Sequence, residues 1–451
     1  MPKSRINPDF SALQVTCEGR PLYTKPAIDG VRRRLERIAI QENTAYLICS
    51  PLLSIGVHEL AGRLPANSTI IAIELDNEID QSIGLKGIDQ STTYFGPKDI
   101  NSFHDFINGA IKNGIKRSIL VSLNGGYRLH KQGYDCLHAE VLRKLRNHLQ
   151  NQATEMHLGR LWIKNSIENI LLAVNSPLRT ASSPKKMPCV ILGAGTSSNE
   201  ILPWLSQIAK YAVIVAVDTI LPALMAYNIT PDAVIALESQ FANVLDFVPG
   251  IPKNCRYILD TSSYPGLARI LPLDQISWVH TRFADLTMLN RAYPADKITN
   301  INPLGSVGPT TLQIAGMLFS GPFLLAGLDF AYLHDQTHAH NTAPDLFERL
   351  RQNRFSRSLW YQRAAARDPK KTKSRDGSTV YTDLVLEKYQ LVLKNQLSHA
   401  FADRKCFSIA GKGLPLGIPC CNPADFFSLI SIEDGSSKLP GPGTNERANN
   451  I

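Results

Sequence analysis

Short, almost wholly apolar runs alternate along this chain with longer stretches in which apolar residues return every three or four positions. The first pattern reads as buried strands and the second as helices. Their alternation predicts parallel βαβ crossovers with helices on both faces of a sheet. Thr44–Cys49, 68–74 and 116–122 read as strands of a first unit, with helical spacing over 51–64. A second unit has strand candidates at 190–192, Val213–Val217, 233–237, 257–259, 277–280 and Phe323–Ala326. Between the units, 135–174 reads as one or two long helices, and 175–188, rich in Pro, Ser and Lys, as a linker. The apolar positions Leu384, Leu386, Tyr389, Leu393 and Leu397 predict a late helix within 382–403.

The expected fold class is therefore α/β, with tandem Rossmann-like units, parallel sheets, a helical linker and a C-terminal helical region. In chain order this gives an irregular lead-in (1–30), an N-terminal α/β unit (31–134) and a helical connector and linker (135–188). A central Rossmann-like domain (189–345), a basic flap (346–380), a C-terminal helical region (381–433) and a disordered tail (434–451) follow. No internal sequence repeat is evident.

Composition narrows the class. The chain has 451 residues, of which 44% are hydrophobic and 19% charged, as in soluble globular proteins of two or three domains. No apolar stretch is long enough to cross a bilayer, and the first ten residues hold no apolar leader core, so a cytoplasmic protein is expected. Eight cysteines are scattered without a Cys-x-x-Cys pair, which argues against a zinc site or a disulfide framework. The net charge of +9 is matched by one segment, Arg349 to Arg375, which has ten basic residues and Asp368 as its one acid. Nucleic-acid binders spread such charge over a domain face, so no nucleic-acid partner is expected. A single basic segment fits either a flap over an anionic ligand, with Arg351 and Arg354 reaching it, or a solvated loop.

The candidate chemistry gathers in the second unit. Its first strand runs into Gly193-Ala-Gly195-Thr196-Ser197-Ser198, and the next into Asp218-Thr219. Glycines admit a ligand to the backbone, free N–H groups of a helix start attract phosphate, and a carboxylate on the neighbouring strand tip suits a ribose. The third glycine of the dinucleotide fingerprint is missing, and such a turn also serves simply to start a helix. Glu238-Ser239, Gly305-Ser306 and Asp329 are expected on the same rim, although each acid alone has the plain alternative of a cap. In the first unit Glu74 also ends a strand, but the turn before it lacks glycines, so that unit reads as a relic or an interaction domain.

In order, the strand with Gly-Ala-Gly-x-Ser, then Ala-Val-Asp-Thr, Ile-x-Pro-Asp, Gly-Ser-Val and Ala-Gly-Leu-Asp-Phe-Ala-Tyr with a following His resemble the motility accessory factors of flagellated bacteria. The core of that family is similar to 6-hydroxymethylpterin diphosphokinase. The stretch from Thr310 through Phe330 also resembles bacterial sialyltransferases that use CMP-activated sugars. The resemblance covers about 140–345, and the Trp162, Asn165 and Asn169 spacing fits it. The chain departs from the family at Thr196 (usually Pro), Ser198 (usually Leu) and Glu238 (usually Asp).

The resemblance implies transfer of a nonulosonic acid, pseudaminic or legionaminic in type, from a CMP-sugar to flagellin Ser/Thr. It implies no required cofactor, a nucleotide-sugar and flagellin as partners, and no membrane insertion; the oligomeric state stays open. Gly195–Ser197 with Ser306 would hold the phosphate, His338 or His340 (with His334 behind them) would be the base, and Tyr332 would bond the leaving phosphate. The histidines also read as a polar loop, or with Asp335 as a metal site. One alternative is ATP-dependent diphosphate transfer with Mg²⁺ held by Asp218, Glu238 and Asp329. Another is a non-catalytic flagellar partner that kept the fold.

Overall fold

The computed structural model describes residues 5–83, 92–176, 184–281, 297–333, 336–355, 369–409 and 411–426. His334, Asp335, the middle of the basic flap and the 434–451 tail lie outside them. The chain divides into two compact units at His157/Leu158. That boundary falls inside one helix, Lys131–Val174, which the sequence predicted as a connector.

In the first unit, β1 (Ile6–Asp9), β2 (Gln14–Cys17) and β3 (Arg20–Pro21) form an antiparallel sheet where an irregular lead-in was expected. These strands are too short to show a period. A parallel sheet follows, from β4 (Thr44–Cys49), β5 (Thr69–Ile73), β6 (Thr92–Phe95) and β7 (Arg117–Val121), in the order β6-β5-β4-β7. Glu74, just past β5, is buried and clasped by Ser50 Oγ (2.6 Å), Tyr134 Oη (3.1 Å) and the N–H groups of Leu75 and Asp76 (2.9 Å each). Burial pushes its carboxyl above the usual range. Its bonds tie strand ends together.

The second unit is built on β8 (Cys189–Leu192), β9 (Val213–Val217), β10 (Ala233–Ala236), β11 (Arg256–Asp260), β12 (Ile276–His280), β13 (Ile298–Asn300) and β14 (Phe323–Ala326). A hairpin of β15 (Lys370–Lys373) and β16 (Thr379–Thr382) is followed by the helix Leu384–Ser398. Then β17 (Cys406–Ile409) and β18 (Cys420–Cys421) return to the sheet. Among the described residues the order is β13-β12-β11-β10-β9-β8-β14-β17-β18, with every pairing parallel. The C-terminal region is thus half helix and half sheet edge. Four-residue and two-residue strands carry too little period to be separated from loop.

The central strands are buried along their whole length, because helices cover both faces. Cys189, Ile191, Val213 and Val215 enter one core with Leu312, Ile314 and Ala315 of the helix Val307–Leu318. Their neighbours Val190, Leu192, Ile214 and Ala216 enter the opposite core with Ile201, Leu205 and Ile208. This is the two-residue period of a strand with no wet face. The end of the Lys131–Val174 helix is latched to the sheet by two buried amides. Asn165 Nδ2 donates to Ser239 O and Ser262 O (3.0 Å each), and Asn169 Nδ2 to Thr261 O (2.9 Å) and Ser263 O (2.8 Å).

Candidate functional site

The strands after β8 are added on one side of it, and the chain then crosses to place β14 on the other. That reversal leaves a crevice at the carboxyl ends of β8 and β14, where ligands enter open α/β sheets. A cleft of about 290 Å³ lies there. Gly193–Gly195, Asp218 and Thr219, the start of the Val307–Leu318 helix, the loop after β14, Thr337, His338, Leu386 and Tyr389 line it.

The glycine turn works differently from its sequence reading. A Cβ on Gly193 would strike Gly327 O, and one on Gly195 would strike Asp329 and Gly327 O. The glycines let the exits of β8 and β14 touch. Asp329 then occupies the turn: Ser197 N–H donates to Oδ2 (2.8 Å), Ser197 Oγ to Oδ1 (2.5 Å) and Thr196 Oγ1 to Oδ2 (3.4 Å). Ser197 Oγ also accepts from Gly327 N–H (3.0 Å). Asp329 Oδ1 is paired in turn with the buried Arg375 Nη2 at 2.7 Å. Thr196, Ser197 and Asp329, expected to hold the donor, therefore hold one another. The helix behind this turn, Ser198–Ile201, has only four residues.

An open anion cradle exists one element away. Ser306 precedes the twelve-residue Val307–Leu318 helix and makes no side-chain cap bond. The first-turn N–H groups of Val307 and Gly308 have no acceptor within the helix, and both residues line the cleft. Gly305 makes the turn at φ +78°, with Tyr389 against it. Backbone dipoles there favour negative charge.

At the end of β9, Asp218 is buried on the cleft wall. Thr219 N–H donates to its Oδ1 (2.8 Å), and Asn243 Nδ2 to its Oδ2 (2.7 Å). The same Asn243 amide reaches Asp246 Oδ2 at 3.3 Å. Burial pushes the Asp218 carboxyl up, with Glu238 adding to it; burial and then the Asp218 charge push Asp246 up further. The folded pair keeps its proton to higher pH than the unfolded chain does. Its stabilising contribution is whole below the usual carboxylate range and is lost as pH rises through the raised values. Asp246→Asn should therefore melt higher than the parent, by about 1–3 kcal/mol near pH 9 and by less near pH 5. An advantage independent of pH in calorimetric melts would refute the raised Asp246 carboxyl.

Glu238 and Ser239 sit beyond the cleft lining at the end of β10. Glu238 Oε1 accepts from Ser239 N–H (2.9 Å) and Gln240 N–H (3.2 Å), while Ser239 O is held by Asn165. The structure also separates the histidines. His338 is half-buried on the cleft with Nδ1 2.8 Å from Thr337 Oγ1. His340 is exposed outside it, its N–H donating to Asn199 Oδ1 (2.9 Å) and its Nδ1 facing Arg349 (3.2 Å) and Asp345 (3.9 Å). Tyr332 lines the cleft and is fixed by a backbone bridge to Tyr381, with the two rings stacked at 6.3 Å. Arg351 and Arg354 are not in the lining.

Residues 162–335 match the family model of 6-hydroxymethylpterin diphosphokinase MptE-like proteins. The chain carries an MptE-like domain. Two uncharacterized proteins of Treponema pallidum (strain Nichols) are similar, one 26% identical over 72% of this chain, the other 22% over 55%. The chain spans 58% and 55% of their lengths, a little over half of each. The structure of a MAf glycosyltransferase from Magnetospirillum magneticum AMB-1 is similar over 100% of this chain and 73% of its own, with a TM-score of 0.59 and 13% identity. The fold is shared. The resemblances to motility accessory factors and to 6-hydroxymethylpterin diphosphokinase, read from the motifs, are met.

The carboxylates expected to hold Mg²⁺ in the MptE-like domain do not converge. Asp329 is closed by Arg375 and Ser197, Glu238 by its own turn, and Asp218 faces Asn243. Among the described residues no group of three or more His, Cys, Asp or Glu is placed to hold a metal ion. Arg375, Thr337 and Tyr389 are the site residues that sequence reading missed. Tyr389 was read as core from its helical spacing, and Arg375 was one cation among ten.

Proposed function

We propose that this chain is a glycosyltransferase that moves a nonulosonic acid, of the pseudaminic or legionaminic type, from a CMP-activated donor to a Ser/Thr hydroxyl of flagellin. The observation that carries this reading is the juxtaposition, in one switch-point cleft, of the open Val307 and Gly308 amides with His338. The donor phosphate rests on those amides, with Thr219 and Asp218 on the ribose side. His338 takes the acceptor hydroxyl proton while the new C–O bond forms and the bond from the sugar to the phosphate breaks. Tyr332 bonds the departing phosphate, and CMP leaves. The reaction so written needs no metal or other cofactor, and the protein acts in the cytoplasm.

The family-model match favours a second reading, diphosphate transfer from ATP with Mg²⁺. Calorimetric titration with CMP and with ATP, each with Mg²⁺ and with EDTA, separates the two. CMP binding that survives EDTA is expected. Binding of ATP alone, lost with EDTA, would replace transfer by diphosphokinase chemistry, and binding of neither would leave a non-catalytic partner.

A further inference from the structure

The helix Ala343–Arg351 turns Asp345 and Glu348 inward and Leu346, Phe347 and Leu350 outward. Leu350 and, just beyond the helix, Phe355 are each 84% exposed. Arg351 lies over the Phe347 ring (5.8 Å to the centroid) and Arg354 over the Phe355 ring (4.5 Å). Arg349 is paired with Asp345, whereas Arg351 and Arg354 make no ion pair among the described residues. The face thus joins exposed apolar side chains to positive charge that no acid among the described residues pairs, a combination that marks an interaction surface.

The charges select the occupant. A second copy across a two-fold axis would set these arginines against themselves. A bilayer would have to take up Phe347 and Phe355 with a guanidinium group lying against each ring, and a single nine-residue helix presents too short an apolar face for stable anchoring. A polypeptide with carboxylates between apolar side chains satisfies both halves of the face.

We propose that this face docks an acidic polypeptide segment through apolar anchors. Thr342, the helix cap, stands four residues from His338, so a chain laid along this helix ends within about 14 Å of a cleft residue. In naming that chain the acceptor the inference rests on the transfer reading; the docking does not.

The test is fluorescence anisotropy with a labelled synthetic peptide of Asp and Glu interleaved with Leu and Phe. Its Asn/Gln counterpart and phosphatidylserine vesicles are the comparisons. The acidic peptide should bind the parent protein in a salt-sensitive way, and at least about tenfold less tightly to Leu350→Asp and to Arg351→Glu/Arg354→Glu. Both variants alter exposed positions, and melting curves check that they fold. Equal binding of the neutral peptide, equal binding by the variants, no peptide binding, or binding of vesicles alone would each overturn the proposal. CMP titration of the same preparation keeps the readings apart: CMP binding without peptide binding sinks only the docking, and the reverse sinks only the transfer.

Discussion

Asp329→Ala is expected to cost the second unit about 3–5 kcal/mol, the range for removing one partner of a buried ion pair. Asp329 and Arg375 are both almost wholly buried. Alanine would strand the guanidinium in the interior, where Arg375 Nε and Nη1 have no hydrogen-bond partner among the described residues. It would also release Ser197, whose N–H and Oγ both spend their bonds on this carboxylate. The loss should not add to that of Arg375→Met. Once the cation is gone the carboxylate is the stranded charge, so the double variant should be more stable than the sum of the single losses implies. Urea unfolding of the two single variants and the double variant measures this. Additive losses would show that the pair acts only as packing.

His338→Ala is expected to lower turnover by about 10²–10⁴-fold, the span of a lost general base, with CMP affinity nearly unchanged. His340→Ala should stay within about threefold of the parent, since its ring faces Arg349 and Asp345 outside the cleft. Release of CMP from a CMP-sugar in the presence of acceptor is the measurement. A larger loss from His340→Ala would move the base out of the cleft.

Sequence reading reached the architecture because runs such as Cys189–Leu192 and Val213–Val217 have one stable home, the middle of a parallel sheet. It reached Asp218 and Thr219 because a carboxylate after such a run must lie at a strand tip. It reached the long helix through spacing alone, although not its membership of two units. It did not separate Glu238 from Asp218, since both end strands and differ only in which neighbour lies beside them.

The covalent order of residues by itself determined the strands, the crossovers and the rim on which the candidate groups lie. Tertiary structure alone decided which of them stand open on the cleft and which are closed by one another. Gly193, Ser197, Asp329 and Arg375 close the β8–β14 contact, a pairing of residues more than a hundred positions apart. A carboxylate that fills its own protein's anion cradle reads in sequence like one that awaits a ribose. The difference lies in a buried cation that no local pattern announces. That same packing leaves the open helix start at Val307 and Gly308 and puts His338, but not His340, on the same cleft.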